Sequence, residues 1–251
     1  GLVSLYRPHD HVCHKGISLS LPNVGDQNLW GGPTYRRGLG YRQYDNDGSM
    51  RHRDFTDVTT SGARVGAAHD LDWIAQDGRE LFTEHRRFAV ETGADAWTLL
   101  FGTAFTNAGP GPVVLGSPTT EGRENAGYGG LFWRGPRSFT DGAVRVPGRT
   151  GGDGLMGVHA PWLAYTGRHD EEDASSTVVF VDGSGTPPVR WFVRANPFAA
   201  VCPAPFFDTE VTVAPGETLS LRYAVVGADG DPGDDGAPAL AAKGASALTG
   251  W

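Results

Sequence analysis

The chain reads as all-β, a large antiparallel β-sandwich, and three observations carry that expectation. Short segments rich in β-branched and aromatic residues recur along the chain. The 37 Gly and 17 Pro among 251 residues set turn signals between them. Hardly any stretch sustains the helical period, and a hydrophobic share of 39% is enough to fill one large core.

The clearest strands, in order, are "GISLSLP" (16–22), "RRFAVE" (86–91), "AWTLLFGTAFTN" (96–107), "STVVFVD" (176–182), "VRWFVRA" (189–195) and "TLSLRYAVVGA" (218–228). The last follows a Pro215-Gly216 turn, and Leu219, Leu221, Tyr223 and Val225 alternate with Ser220, Arg222 and Ala224, so one face looks inward. "APALAAKGASALTGW" (237–251) has the composition of a short helix weakened by Gly244 and Gly250. Residues 1–228 are therefore expected to form a single sandwich domain, with 229–251 as an acidic Gly/Pro loop and C-terminal tail. Two longer stretches, 23–55 and 121–160, hold many of the Trp, Tyr, Arg and Gly residues; irregular segments of that length in a compact domain usually carry function.

Composition excludes several classes of partner. The formal net charge of −8 without a basic stripe offers no footprint for nucleic acid or an anionic membrane. No apolar run is long enough to span a bilayer, and the first residues lack a secretory leader, so cytoplasm is the default expectation. Cys13 and Cys202 allow at most one bridge. Without GxGxxG, a Walker loop, HExxH, CxxC or GxSxG, nucleotide, zinc-protease, redox-disulfide and ordinary serine-hydrolase readings have no support, and a small-molecule partner remains.

The stretch "RPHDHVCHKG" (7–16) gathers His9, Asp10, His11, Cys13, His14 and Lys15. An extended backbone would place His9, His11 and Cys13 on one face and leave Asp10 and His14 elsewhere. Two imidazoles on a strand begin a metal site, so His9, His11 and His14 are candidate ligands of a divalent cation as well as candidate proton carriers; the set needs completion by a distant residue such as His52, Glu84, His85, Glu121 or His159. The competing expectation is polar decoration of a strand edge. Lys15 is a candidate donor to an anionic oxygen.

Residues 28–55 combine Trp30, Tyr35, Tyr41 and Tyr44 with five arginines, and residues 117–136 place Glu121 and Arg123 ahead of Tyr128, Gly129, Gly130 and "LFWR". Aromatic faces beside oxygen-binding donors suit a sugar. Trp30, Tyr41, Arg123, Tyr128, Trp133 and His159 are accordingly the candidate substrate-binding residues, with Lys15, and Glu84 and Glu121 the candidate catalytic carboxylates. Phe132 and Trp133 alternate, so one faces the core and the other a cleft. Gly129 and Gly130 admit close approach of a ligand or a neighbouring strand.

These motifs together, "RPHDHVCHKGISLSLPNVGDQNLWGGPTY", "TEHRR", "FTNAGPGPVVLGSPTTEGR" and "GYGGLFWR", resemble the DUF6807 family, also labelled PmoA, over most of residues 5–228. The chain departs at Cys13, where a bulky residue is expected, and begins later than members of that family do, which implies that some N-terminal strands of the domain precede it. A strand ending in "TN" before a Gly/Pro turn is more faintly similar to galactose-mutarotase-like super-sandwich proteins. That likeness implies a carbohydrate site on a concave face, where histidines and a carboxylate handle protons. The membrane methane-monooxygenase activity behind the PmoA label is set aside because no segment here could span a membrane.

The leading expectation is an enzyme acting on a sugar or oxidised sugar by His/carboxylate acid–base chemistry, with metal assistance where a divalent cation is held: an epimerase, lyase or hydrolase. The rivals are a non-catalytic carbohydrate-binding protein and a His-ligated metal-dependent oxygenase.

Overall fold

In the computed structural model, which describes residues 2–170, 172–185 and 189–251, the chain folds into two antiparallel sheets packed face to face. Strands are numbered along the chain. The smaller sheet runs β15 (Arg190–Arg194), β16 (Ala200–Ala204), β10 (Gly130–Arg134), β1 (Ile17–Val24), β9 (Val113–Gly116) and β17 (Val211–Val213), with β2 (Gln27–Leu29) also on β1. The larger runs β12 (Arg149–Gly151), β11 (Ala143–Val146), β13 (Trp162–Arg168), β14 (Ser175–Asp182), β18 (Thr218–Asp229), β8 (Ala96–Asn107), β7 (Glu80–Thr92), β6 (Arg64–Ile74) and β5 (Ser49–Ser61). A hairpin of β3 (Thr34–Arg36) and β4 (Gly40–Arg42) stands apart from both.

The core lies between the sheets, where Trp133 and Trp191 of the smaller one join Trp73, Phe105, Tyr165, Phe180 and Val225 of the larger. Trp133 packs within 5.2 Å of the Tyr165 ring and 5.6 Å of the Phe180 ring. All six strands legible in the sequence are present, and two of them are central neighbours: β8 and β18 pair over eleven positions, with Leu100 opposite Ala224. β5 and β6 were not legible. β5 is an edge strand, exposed along almost its whole length, so its sequence SMRHRDFTDVTTS needs no apolar alternation.

In the C-terminal segment the helix that the composition of 237–251 suggests begins a few residues earlier. Residues Gly233–Thr249 form one α-helix, α1, and Asp234 and Asp235 occupy its first turn, where carboxylates favour the positive end of the helix dipole. Asp231 and Asp234 also pair with the Arg145 guanidinium, so the acidic segment is anchored instead of freely solvated. Ala237, Ala241 and Leu248 pack on Ala89, Leu100, Val179 and Val226, the face of the larger sheet turned away from the core. Gly244 is what lets the helix sit so close: a Cβ there would lie 2.9 Å from Val181 Cγ2. Both cysteines are free.

Candidate active site

Period-two alternation decides which residues of the smaller sheet reach the site. Along β10, Leu131 and Trp133 enter the core, while Phe132 emerges on the opposite face; along β15, Trp191 and Val193 enter, and Phe192 emerges. Phe132, Phe192, Ala200, Cys202 and Phe207 form a separate apolar floor on that outer face. Above it opens a cleft of about 530 Å³ lined by His11, Cys13, His14, Trp30, Gly31, Pro33, Tyr41, Arg123, Tyr128, Phe132, Phe192, Arg194, Pro197 and Phe198.

Four segments bring the walls together. The buried Asn28 side chain accepts from the Trp30 and Gly31 amides (2.8 and 3.1 Å) and donates to the Gly32 carbonyl, setting the turn that presents Trp30. Trp30 then packs against Tyr128 at 4.6 Å and Phe132 at 4.7 Å between ring centres. The β3–β4 hairpin supplies Tyr41, whose hydroxyl lies 2.7 Å from that of Tyr128 and accepts a hydrogen bond from Arg123. Ser117 donates to the Phe207 carbonyl and its oxygen accepts from the Thr119 amide, tying down the loop that carries Arg123 and Tyr128. Burial, then the neighbouring Tyr41, raise the Tyr128 phenol well above its ordinary pKa, so it is a hydroxyl, not a phenolate.

The stretch "RPHDHVCHKG" is not extended. Tyr6 bridges to Lys15, the Arg7 amide donates to the His14 carbonyl, and two tight turns (His11 N to Pro8 O, His14 N to His11 O) fold the segment on itself. Proline at position 8 and a left-handed Arg7 (φ 50°) suit such a loop and not a strand. The expected face of His9, His11 and Cys13 is therefore replaced by another grouping: His11 and His14, three apart across a turn, stack with ring centres 4.7 Å apart and planes 12° from parallel. His9 turns away, its Nδ1 accepting from Arg137 at 3.0 Å.

Behind His14 sits Arg134, with no exposed surface, at the end of β10. It donates to His14 Nδ1 at 3.0 Å and to Asp10 Oδ2 at 2.9 Å, and its guanidinium lies 4.0 Å from the centre of the Phe198 ring. Asp10 also accepts from Arg137 at 3.1 Å, and its Oδ2 is 3.4 Å from His11 Nδ1. Burial pushes the Asp10 carboxyl up, but the hydrogen bond and charge of Arg134, helped by His11, outweigh it and hold the group well below the carboxylate range. An arginine cannot accept a hydrogen bond, so His14 Nδ1 must carry a lone pair and Nε2 the proton. Burial first, then the charges of His11 and Arg134, push His14 down to about 3, and it is neutral at physiological pH. His11 is oriented the other way, with its Nδ1 toward Asp10 Oδ2 at 3.4 Å.

The other sequence candidates lie outside the cleft. Glu84 is buried in the larger sheet and its carboxylate is saturated by Trp73 Nε1, Thr103 Oγ1 and the Arg86 guanidinium, all within 2.8 Å. Glu121 pairs with Arg36 at 3.3 Å. Trp133 is a core residue and its neighbour Phe132 takes the place at the cleft. Lys15 donates to the Val12 carbonyl at the surface, and His159 lines a different depression beside Arg190 and Asp208. His52 lies on the exposed edge strand, 3.0 Å from His69, and His85 pairs with Asp70. The donor set does not fit a divalent cation: the Nδ1 atoms of His9 and His14 are occupied by guanidinium donors, and among the described residues no group of three or more His, Cys, Asp or Glu side chains could hold one. Cys13 is a thiol whose pKa burial raises.

Sequence reasoning missed Arg134, Asp10 as its partner, Phe192, Arg194 and Phe198. One signal was available. An arginine ending the apolar run "LFWR" is a charge on a strand with a buried face, and such a charge requires a buried anion.

Comparison with solved structures finds distant similarity. A GH36 α-galactosidase variant from Geobacillus stearothermophilus in complex with raffinose is 11% identical, with 86% of this chain and 32% of that one covered and a TM-score of 0.42. An α-galactosidase from Lactobacillus brevis is 10% identical (92% and 36% covered, TM-score 0.42). A galactose 1-epimerase from Lactobacillus acidophilus is 8% identical (86% and 80% covered, TM-score 0.41). The chain spans about a third of the length of the α-galactosidases. A comparison with curated proteins finds no match. The sequence profile of DUF6807, a family of unknown function, matches residues 2–242, and the chain belongs to that family.

Proposed function

We propose that the cleft is the active site of an enzyme that moves a proton on an oxidised sugar, as an epimerase or lyase. The observation that carries this reading is the stacked His11–His14 pair, in which Asp10 and Arg134 impose opposite polarities on two adjacent imidazoles. His11 Nε2 is the base that takes a proton from the carbon next to a carbonyl. His14 Nε2–H, held neutral, donates to the carbonyl oxygen as charge builds there; a neutral imidazole can act as such an electrophile. The rings of Trp30, Tyr128 and Phe132 give a sugar its stacking surface. Among the described residues no carboxylate lines the cleft, which leaves hydrolysis by paired carboxylates without its groups.

Deuterium incorporation from heavy water into a panel of keto-sugars and sugar acids, followed by NMR, tests the reading. Wild-type protein should exchange one carbon-bound proton, and His11→Ala should slow exchange by about 10²-fold or more while affinity changes by less than about tenfold. Binding without exchange for any sugar would favour the alternative of a carbohydrate-binding protein, which the lack of a carboxylate lining the cleft supports. Equal exchange in wild-type and His11→Ala protein would remove His11 as the base.

A further inference from the structure

The charge around this cleft runs against that of the chain. The protein carries a formal net charge of −8, yet Arg123 and Arg194 line the cleft and, among the described residues, no Asp or Glu does. Both arginines are positioned by neutral partners: Arg123 donates to the Tyr41 hydroxyl and lies 4.8 Å over its ring, and Arg194 donates to the Asn125 carbonyl at 3.3 Å. Among the described residues neither guanidinium has a carboxylate within 4.0 Å, whereas Arg36, Arg64, Arg79, Arg86, Arg134 and Arg145 each do. Asp10 is the nearest acid to the histidine pair, but it lies behind them and is shared by Arg134 and Arg137. Two unneutralised guanidiniums on an aromatic-lined cleft leave it cationic, and a guanidinium fork matches a planar carboxylate through paired hydrogen bonds.

We propose that the ligand is an acidic sugar, a uronate or aldonate unit, whose carboxylate is held by Arg123 and Arg194 while its ring stacks on Trp30 and Tyr128. The inference rests on the proposed carbohydrate reading of the same cleft and adds its substrate class. Neutralising the carboxylate on binding would also ease removal of a proton from the carbon beside it, which is the step assigned to His11.

Isothermal titration calorimetry on the whole chain tests this without requiring turnover. The probes are galacturonate, glucuronate and gluconate, the neutral sugars galactose and glucose, and glucose 6-phosphate with inorganic phosphate. At least one sugar acid should bind roughly tenfold or more tighter than its neutral counterpart, about the strength of one charge-assisted contact. That preference should weaken with added salt and shrink to within about threefold in the Arg123→Gln/Arg194→Gln variant. Both residues are partly exposed, so circular dichroism should show that variant folded; single Arg→Lys variants, which keep the charge and lose the fork, should fall between. Neutral and acidic sugars binding alike would overturn the acidic class while leaving the carbohydrate reading intact. Tighter binding of the phosphorylated sugar or of phosphate would overturn it in favour of a phosphate anchor. Failure of every sugar to bind would overturn both.

Discussion

His14 shows how one buried contact decides the chemistry of a residue. Its ordinary pKa of 6.5 falls to about 3 because the ring is buried and the neighbouring His11 and Arg134 disfavour a second positive charge beside them. In the unfolded chain His14 takes up a proton below pH 6.5, whereas in the folded chain it does so only near pH 3. Between these values the unfolded state binds more protons, so stability falls as the pH is lowered through that window. From pH 7 to pH 5 this one residue removes about 2 kcal/mol. His69, also shifted down by burial, acts in the same direction, so the comparison must isolate His14. Urea unfolding of wild-type and His14→Gln protein at pH 7 and pH 5 should show the variant losing about 2 kcal/mol less between the two; identical losses would mean that His14 titrates freely in the folded chain.

At the scale of the element, β10 is the strand on which the site depends. It sends Trp133 into the core, Phe132 to the cleft floor and Arg134 to the histidine pair. Its first residue, Gly130, has φ 129°, and a Cβ there would lie 2.5 Å from the Pro203 carbonyl oxygen of β16. Of the two roles the double glycine allowed, close approach of a neighbouring strand is the one Gly130 fills. Gly130→Ala must move β10 against β16 or distort its backbone, at a cost of about 2 kcal/mol or more. Thermal unfolding should record that loss, and because Phe132 and Arg134 move with the strand, the proposed binding of a sugar in the cleft should weaken too. An alanine variant with unchanged melting temperature would show that the strands are less tightly apposed than 2.5 Å implies.

On the scale of the molecule, the two sheets bury their shared core on one side each, and the outer faces are used differently. The larger sheet carries α1 across its central strands, and the smaller carries the cleft. Leu248, 5% exposed, is the last anchor of the helix against the sheet. Leu248→Ala should cost about 2–3 kcal/mol, the ordinary penalty for truncating a buried leucine, and should leave the proposed sugar binding unchanged because the cleft lies on the other sheet. A coupled loss of affinity would show that the two faces communicate. Among the described residues no helix is long and apolar enough to cross a membrane.

The all-β class, the six most regular strands, and the aromatic and histidine-rich segments of the site were legible in the sequence, because strand alternation, turn residues and local composition are properties of neighbours along the chain. His11, His14, Trp30, Tyr41, Arg123 and Tyr128, read separately from three segments, do meet in one cleft. What only the tertiary structure decided is which polar groups share an environment. Glu84 has the residue type of a catalytic acid but is spent on Trp73, Thr103 and Arg86. His9 and His14 have the same residue type and face different arginines. The direction of an imidazole's proton, the charge left over in a cleft and the choice of Phe132 over Trp133 depend on contacts between residues more than a hundred positions apart, as Arg134 and His14 are. No local pattern encodes such contacts.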